Sequence, residues 1–134
     1  MTVYGIDLGT TNSLIAAFTG GEPKLIANGL GSVLTPSVVN LDTNGTVLVG
    51  EPALNRLVSE PERSVASFKR FMGTSRITRL GSRSFQPEEL SALVLKSLKA
   101  DAEAFAGEEV RDVVISVPAY FNEPQRRATQ NAGR

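Results

Sequence analysis

Apolar and β-branched residues fill positions 3–8 and 13–18, on either side of a short Gly-Thr-Thr-Asn segment. This predicts two strands joined by a tight turn. Residues 25–26, 38–41 and 46–49 carry further short strand patterns, separated by Asn28-Gly29, Leu30-Gly31 and Asn44-Gly45 turn signals. The first part of the chain is therefore expected to be mostly β. Residues 52–58 and 64–71 read as helical, with Pro61 cutting between them because proline has no amide hydrogen to donate. Gly73 is placed to close the second of these.

The clearest helical pattern starts at Pro87, whose fixed φ suits a first helical position, and stops before Gly107. At about 1.5 Å per residue such a helix is roughly 30 Å long. Leu90, Leu93, Val94, Leu98, Ala102 and Phe105 recur on one face, with Lys96, Lys99, Asp101 and Glu103 mostly off it, so that face is expected in the core. Phe85 and Leu90 are spaced for a hydrophobic staple, although Gln86 is a poor N-cap. Residues 113–117 form a nearly continuous apolar run, as a buried strand would, and Pro118 ends it. The pattern is helical again from Glu123. Strand pairs alternating with helices, without repeats or linkers, predict one mixed α/β unit.

Composition narrows the chemistry. Cysteine and histidine are both absent, which excludes disulfides, thiolate nucleophiles, histidine general bases and the usual zinc sites. Carboxylates, lysines, hydroxyls and backbone amides remain, a set suited to handling phosphate and magnesium. Fourteen basic residues balance fourteen acidic ones, so no broad positive field is available to draw in nucleic acid or an anionic membrane. No apolar run reaches the roughly 18 residues of a membrane span, and the N-terminus enters a strand pattern at once, without a signal peptide. A cytoplasmic protein is expected.

The candidate chemistry begins at the first turn. Gly5-Ile6-Asp7-Leu8-Gly9-Thr10-Thr11-Asn12-Ser13 sets an acidic residue at a strand end, followed by a glycine and two hydroxyls. Gly9 lets the backbone approach a ligand, turn amides can face phosphate oxygens, and Thr10 and Thr11 add hydroxyl donors. Asp7 would repel phosphate unless a hydrated magnesium ion sat between them. Taken alone, the same residues equally make an ordinary hairpin turn.

Other segments resolve this ambiguity, because the stretch from Asp7 to Ser13 resembles the first phosphate loop of the Hsp70 family of molecular chaperones. Further landmarks follow in the same order: Leu34-Thr35-Pro36-Ser37-Val38-Val39, Leu48-Val49-Gly50-Glu51-Pro52-Ala53, Phe68-Lys69-Arg70-Phe71-Met72-Gly73, Val113-Val114-Ile115-Ser116-Val117-Pro118-Ala119-Tyr120-Phe121-Asn122 and Gln125-Arg126-Arg127-Ala128-Thr129. The resemblance implies a ribonuclease H-like, actin-like ATPase fold, with residues 1–134 as the first lobe of a nucleotide-binding domain and an outer subdomain inserted at about 37–110. It implies ATP or ADP with Mg2+ as ligands. It places Asp7 on magnesium through water, Gly9, Thr10, Thr11 and Asn12 around the phosphates, and Lys69 as the catalytic residue beside the γ-phosphate and attacking water. Without it, a lysine next to Arg70 reads as a solvated surface charge. Pro118 and Arg126 match a relay that passes the nucleotide state to a peptide-binding domain, and Tyr120 and Asn122 lie where a J-domain partner or interdomain linker is expected.

The resemblance further implies unfolded peptide clients bound by a C-terminal domain, a J-domain co-chaperone and a nucleotide-exchange factor, with no nucleic-acid or membrane partner. The short stretch between Gly73 and Pro87, Val33 to Pro36 and Asn12 lean toward a divergent bacterial branch with a smaller outer subdomain. The family's catalytic glutamate, second phosphate loop and adenine-binding residues have no counterpart before Arg134, so these residues alone are expected to be a poor ATPase. An actin-like filament protein would share the fold but not the segment 117–122. A small-molecule kinase would need an aspartate base and a sugar pocket that the chain does not visibly supply.

Overall fold

The computed structural model describes residues 2–117 and 121–133. In chain order the elements are β1 (Val3–Asp7), β2 (Asn12–Thr19), β3 (Glu22–Leu25), β4 (Thr35–Pro36), β5 (Val38–Leu41), β6 (Val47–Val49), the helical turns α1 (Glu51–Leu54) and α2 (Arg56–Ser59), β7 (Ser64–Ala66), β8 (Thr78–Leu80), β9 (Arg83–Phe85), the long helix α3 (Pro87–Ala106), β10 (Val113–Ser116) and α4 (Glu123–Ala132). The main sheet runs β10-β1-β2-β3, with β4 added on β2. The expected hairpin is present, with Asp7 opposite Leu14 in antiparallel register. β10 lies parallel to β1, with Tyr4 opposite Val113 and Asp7 opposite Ser116. A parallel pair needs a long crossover. Here it holds a second sheet, β6-β5-β7, the β8-β9 hairpin and α3.

Strand alternation sends Tyr4, Ile6, Ile15 and Ala17 to one side of the main sheet, where they join Leu90, Val94, Leu95, Leu98 and Ala102 of α3 and Val39 and Leu41 of β5 in one buried cluster. α3 thus ties both sheets to a single core. It begins at Pro87 and ends before Gly107, whose φ of 71° reverses the chain. Its weak cap at Gln86 is offset from within the helix, because the Glu89 carboxylate accepts the Gln86 N–H at 2.8 Å. Phe85 and Leu90 are both buried in the same cluster, as a staple requires.

Three expectations need correction, and one element is new. Residues 64–71 are not one helix. Ser64–Ala66 pairs with β5, Ser67 then takes a left-handed conformation (φ 59°), and only Phe68–Phe71 forms a 3-10 turn. Short apolar runs do not separate helix from strand by period, and here pairing with β5 decides. Residues 113–117 are not buried on both faces, since Val114 is 63% exposed; one side packs on the core and the other is open. Phe105 leaves the core face of α3 and lies under the Lys24 ammonium, 5.1 Å from the ring centre. The hairpin β8-β9 was not anticipated in the stretch before Pro87.

Candidate functional site

β1 ends at Asp7 and β2 begins at Asn12, so residues 8–11 make the whole turn. A Cβ built on Gly9 would lie 2.0 Å from the Asn12 carbonyl oxygen, so only glycine permits this turn. The backbone is fixed from below. Gly9 N–H donates to Ser13 Oγ at 3.2 Å, and Ser37 Oγ donates to the Gly9 carbonyl at 2.8 Å. Ser37 N–H donates to the Thr11 carbonyl at 2.8 Å, and the hydroxyls of Ser13 and Ser37 are 2.8 Å apart. Two carbonyls that would repel an anion are thereby turned inward. Among the described residues, the Thr10 and Thr11 amides and hydroxyls and the Asn12 side chain make no hydrogen bond, and Thr11 and Asn12 are exposed. Gly9 contributes close approach, not a donor, because its amide is already used.

Lys69 reaches this turn from 61 residues away in sequence. The left-handed Ser67 turns the chain out of β7 into the 3-10 turn that presents Lys69. At the far end of the segment, Gly73 (φ 79°) sits so close to α4 that a Cβ would be 2.9 Å from the Gln125 nitrogen. Lys69 Nζ donates to the Leu8 carbonyl and lies 5.5 Å from the centre of the Phe121 ring. Partial burial pulls the ammonium below the usual lysine range, and the Asp7 carboxylate partly offsets this. No direct ion pair joins Lys69 and Asp7. Asp7 is exposed at the end of β1 beside Ser116.

Among the described residues, no group of three acidic side chains gathers around a point as an all-protein metal cage would require. A lone carboxylate beside free hydroxyls and amides fits magnesium, which keeps most of its waters and takes further oxygens from phosphate.

Arg126 lies on α4, where its Nε donates to the Phe121 carbonyl at 3.3 Å. Arg126, Phe121, Lys69 and Leu8 thus form a continuous chain of contacts. Asn122 caps α4 reciprocally, since its Oδ1 accepts the Gln125 N–H at 3.0 Å and Gln125 Oε1 accepts the Asn122 N–H at 2.9 Å. Pro118 and Tyr120 lie outside the described residues. Ser13, Ser37 and Phe121 lie within the segments that carry the resemblance, but sequence reasoning gave none of them a role at the loop. Ser37, a small polar residue directly before the apolar β5, was the available signal.

A family model for Hsp70 protein matches residues 3–80 and 75–134, nearly the whole chain. The turn, the lysine brought to it and the α/β topology all lie within the matched stretches. The chain therefore belongs to the Hsp70 family, and these residues are part of its ATP-hydrolysing chaperone domain, with the actin-like ATPase fold.

Proposed function

We propose that Asp7, residues 9–12 and Lys69 form the phosphate end of an ATP–magnesium site, with Lys69 as the catalytic residue. The observation that carries this reading is the convergence of Lys69 on the Leu8 carbonyl, immediately before a loop in which the Thr10 and Thr11 amides and hydroxyls and the Asn12 side chain have no partner among the described residues. Asp7 would hold magnesium through its waters, and the bound metal would neutralise phosphate charge. Thr10 and Thr11 would present amides and hydroxyls to phosphate oxygens, and Asn12 its side-chain amide. In hydrolysis, water attacks the γ-phosphorus and the bond to the ADP oxygen breaks. Phosphate leaves with the oxygen of the water, whose proton passes to phosphate or solvent. The Lys69 ammonium faces the charge that builds on the transferring group, where stabilisation and positioning supply most of the catalysis.

In this reading residues 1–134 are the first lobe of the nucleotide-binding domain, and the outer subdomain spans about 37–110. The second sheet, which starts at Val38 just beyond Ser37, supports that division. Hsp70 chaperones act on client peptides with co-chaperones. For this protein a J-domain partner and a nucleotide-exchange factor are proposed, with the nucleotide state relayed from Lys69 through Phe121 to Arg126 and on to the peptide-binding domain. No helix among the described residues is long and apolar enough to cross a membrane, and the cytoplasm is the proposed location. The exposure of Asp7, Thr11 and Asn12 leaves a bound nucleotide largely in water, so the 134 residues by themselves should bind ATP weakly and hydrolyse it poorly.

The test is Mg-ATP binding by the full-length protein carrying Asp7→Asn. The expected defect shrinks as magnesium is raised, because the lost carboxylate acts on the metal's waters. A defect independent of magnesium, or none, contradicts the assignment.

A further inference from the structure

We propose that Ser13 and Ser37 are paired positioning residues that set the shape of the nucleotide loop from beneath and lock it to the root of the second sheet. The inference rests on the ATP–magnesium reading above and adds to it two residues that touch no ligand. Both side chains are almost fully buried, at 1% and 2% exposure. A buried hydroxyl loses water and is stable only when bonded, so an apolar core at this point would be simpler to build.

The bonds these hydroxyls make concentrate on one residue. Ser13 Oγ takes the Gly9 N–H and Ser37 Oγ takes the Gly9 carbonyl, so both peptide groups flanking Gly9 are held. The Ser13–Ser37 contact at 2.8 Å closes the circuit, and Ser37 N–H removes the Thr11 carbonyl from the ligand side. Freed from these bonds, the Gly9 peptide could rotate and present an oxygen to phosphate, because glycine has no Cβ to forbid other φ values.

Position adds a second argument. β4 pairs with the start of β2, Asn12 opposite Pro36 and Ser13 opposite Thr35, and β5 of the second sheet begins directly after Ser37. Ser37 is therefore the single residue between the strand that borders the loop and the strand that starts the second sheet. A shift of β5 relative to the main sheet must pull on the Gly9 and Thr11 carbonyls. The loop is preformed for an anion only while the second sheet sits in this place.

The experiment measures Mg-ATP affinity of the full-length protein well below its melting temperature, in Ser37→Ala, Ser13→Ala, the double variant and Ser37→Cys. The expected result is about tenfold weaker binding in each alanine variant, with the double variant no more than twofold worse than the weaker single, because the pair acts as one unit. Ser37→Cys, which keeps the size and a weak donor, should fall between wild type and Ser37→Ala. A role confined to stability would lower the melting temperature and leave affinity unchanged. The inference is overturned by affinity within twofold of wild type in Ser37→Ala, or in Ser37→Cys should Ser37→Ala not fold. An additive, roughly hundredfold loss in the double variant also overturns it. Wild-type binding that Asp7→Asn weakens but Ser37→Ala does not defeats this inference alone. Absence of wild-type binding defeats it together with the ATP–magnesium reading.

Discussion

Replacing Gly9 by alanine should be among the most damaging single-methyl additions in the protein. The new Cβ would stand 2.0 Å from the Asn12 carbonyl oxygen, whereas ordinary contact begins at about 3.4 Å, so the two groups must separate by roughly 1.4 Å. The opposing atom is backbone, and Asn12 is held in β2 opposite Pro36, so no side chain can swing aside. Overpacking of this kind costs about 1–3 kcal/mol. The displacement also strains the bonds from Gly9 to Ser13 and Ser37, each worth about 1 kcal/mol. A destabilisation of about 2–4 kcal/mol follows, measured as a lower urea midpoint at unchanged m-value. Gly29→Ala is the control. Nothing lies within 4 Å of its Cβ position and its φ is outside the left-handed region, so alanine should be neutral or add up to about 1 kcal/mol by restricting the unfolded chain. A Gly9→Ala variant within about 0.5 kcal/mol of wild type, or a Gly29→Ala variant that costs as much as Gly9→Ala, refutes the steric reasoning.

Two further substitutions probe the rest of the lobe. Burial raises the pKa of Asp101, in a groove beside Ser97 and Glu51, so the folded state holds this proton more tightly than the unfolded chain. Its ionisation therefore lowers stability as pH rises through the raised pKa. Asp101→Asn should raise the melting temperature at pH 7, with the gain disappearing below about pH 3.8, where both states are protonated. A gain that persists undiminished at low pH contradicts this. Asn122→Ala removes the reciprocal cap of α4 and should cost about 1 kcal/mol in urea unfolding, while Asn122→Asp or Asn122→Ser should retain most of it.

What was legible in the sequence followed local chemistry. The hairpin around Gly9 and the limits of α3 were readable because Gly, Pro and a 3.6-residue apolar period act over a few positions. The fate of residues 64–71 was not, because Ser64–Ala66 becomes a strand only through pairing with β5, more than 20 residues away. Val114 reads as buried because its neighbours are apolar, yet exposure depends on what covers that face of the sheet. At the proposed site, Asp7 and the hydroxyls of Thr10 and Thr11 were candidates by type and spacing but fitted an ordinary turn equally well, and the resemblance decided between the two readings. Lys69 was identifiable only by resemblance, since nothing local distinguishes it from Arg70. The left-handed Ser67 and the close approach of Gly73 to α4 turn it toward Leu8. The Ser13–Ser37 bond links residues 24 positions apart and was invisible until the strands were placed.

The central claim is that Lys69 acts on the transferring phosphoryl group. It is tested most directly by single-turnover ATP hydrolysis in the full-length protein carrying Lys69→Ala, at several magnesium concentrations. A charge that acts mainly in the transition state should slow the chemical step far more than it weakens ATP binding, by on the order of a hundredfold or more in rate, and added magnesium should not restore it. An unchanged single-turnover rate would return Lys69 to an ordinary lysine bonded to the Leu8 carbonyl and contradict the account.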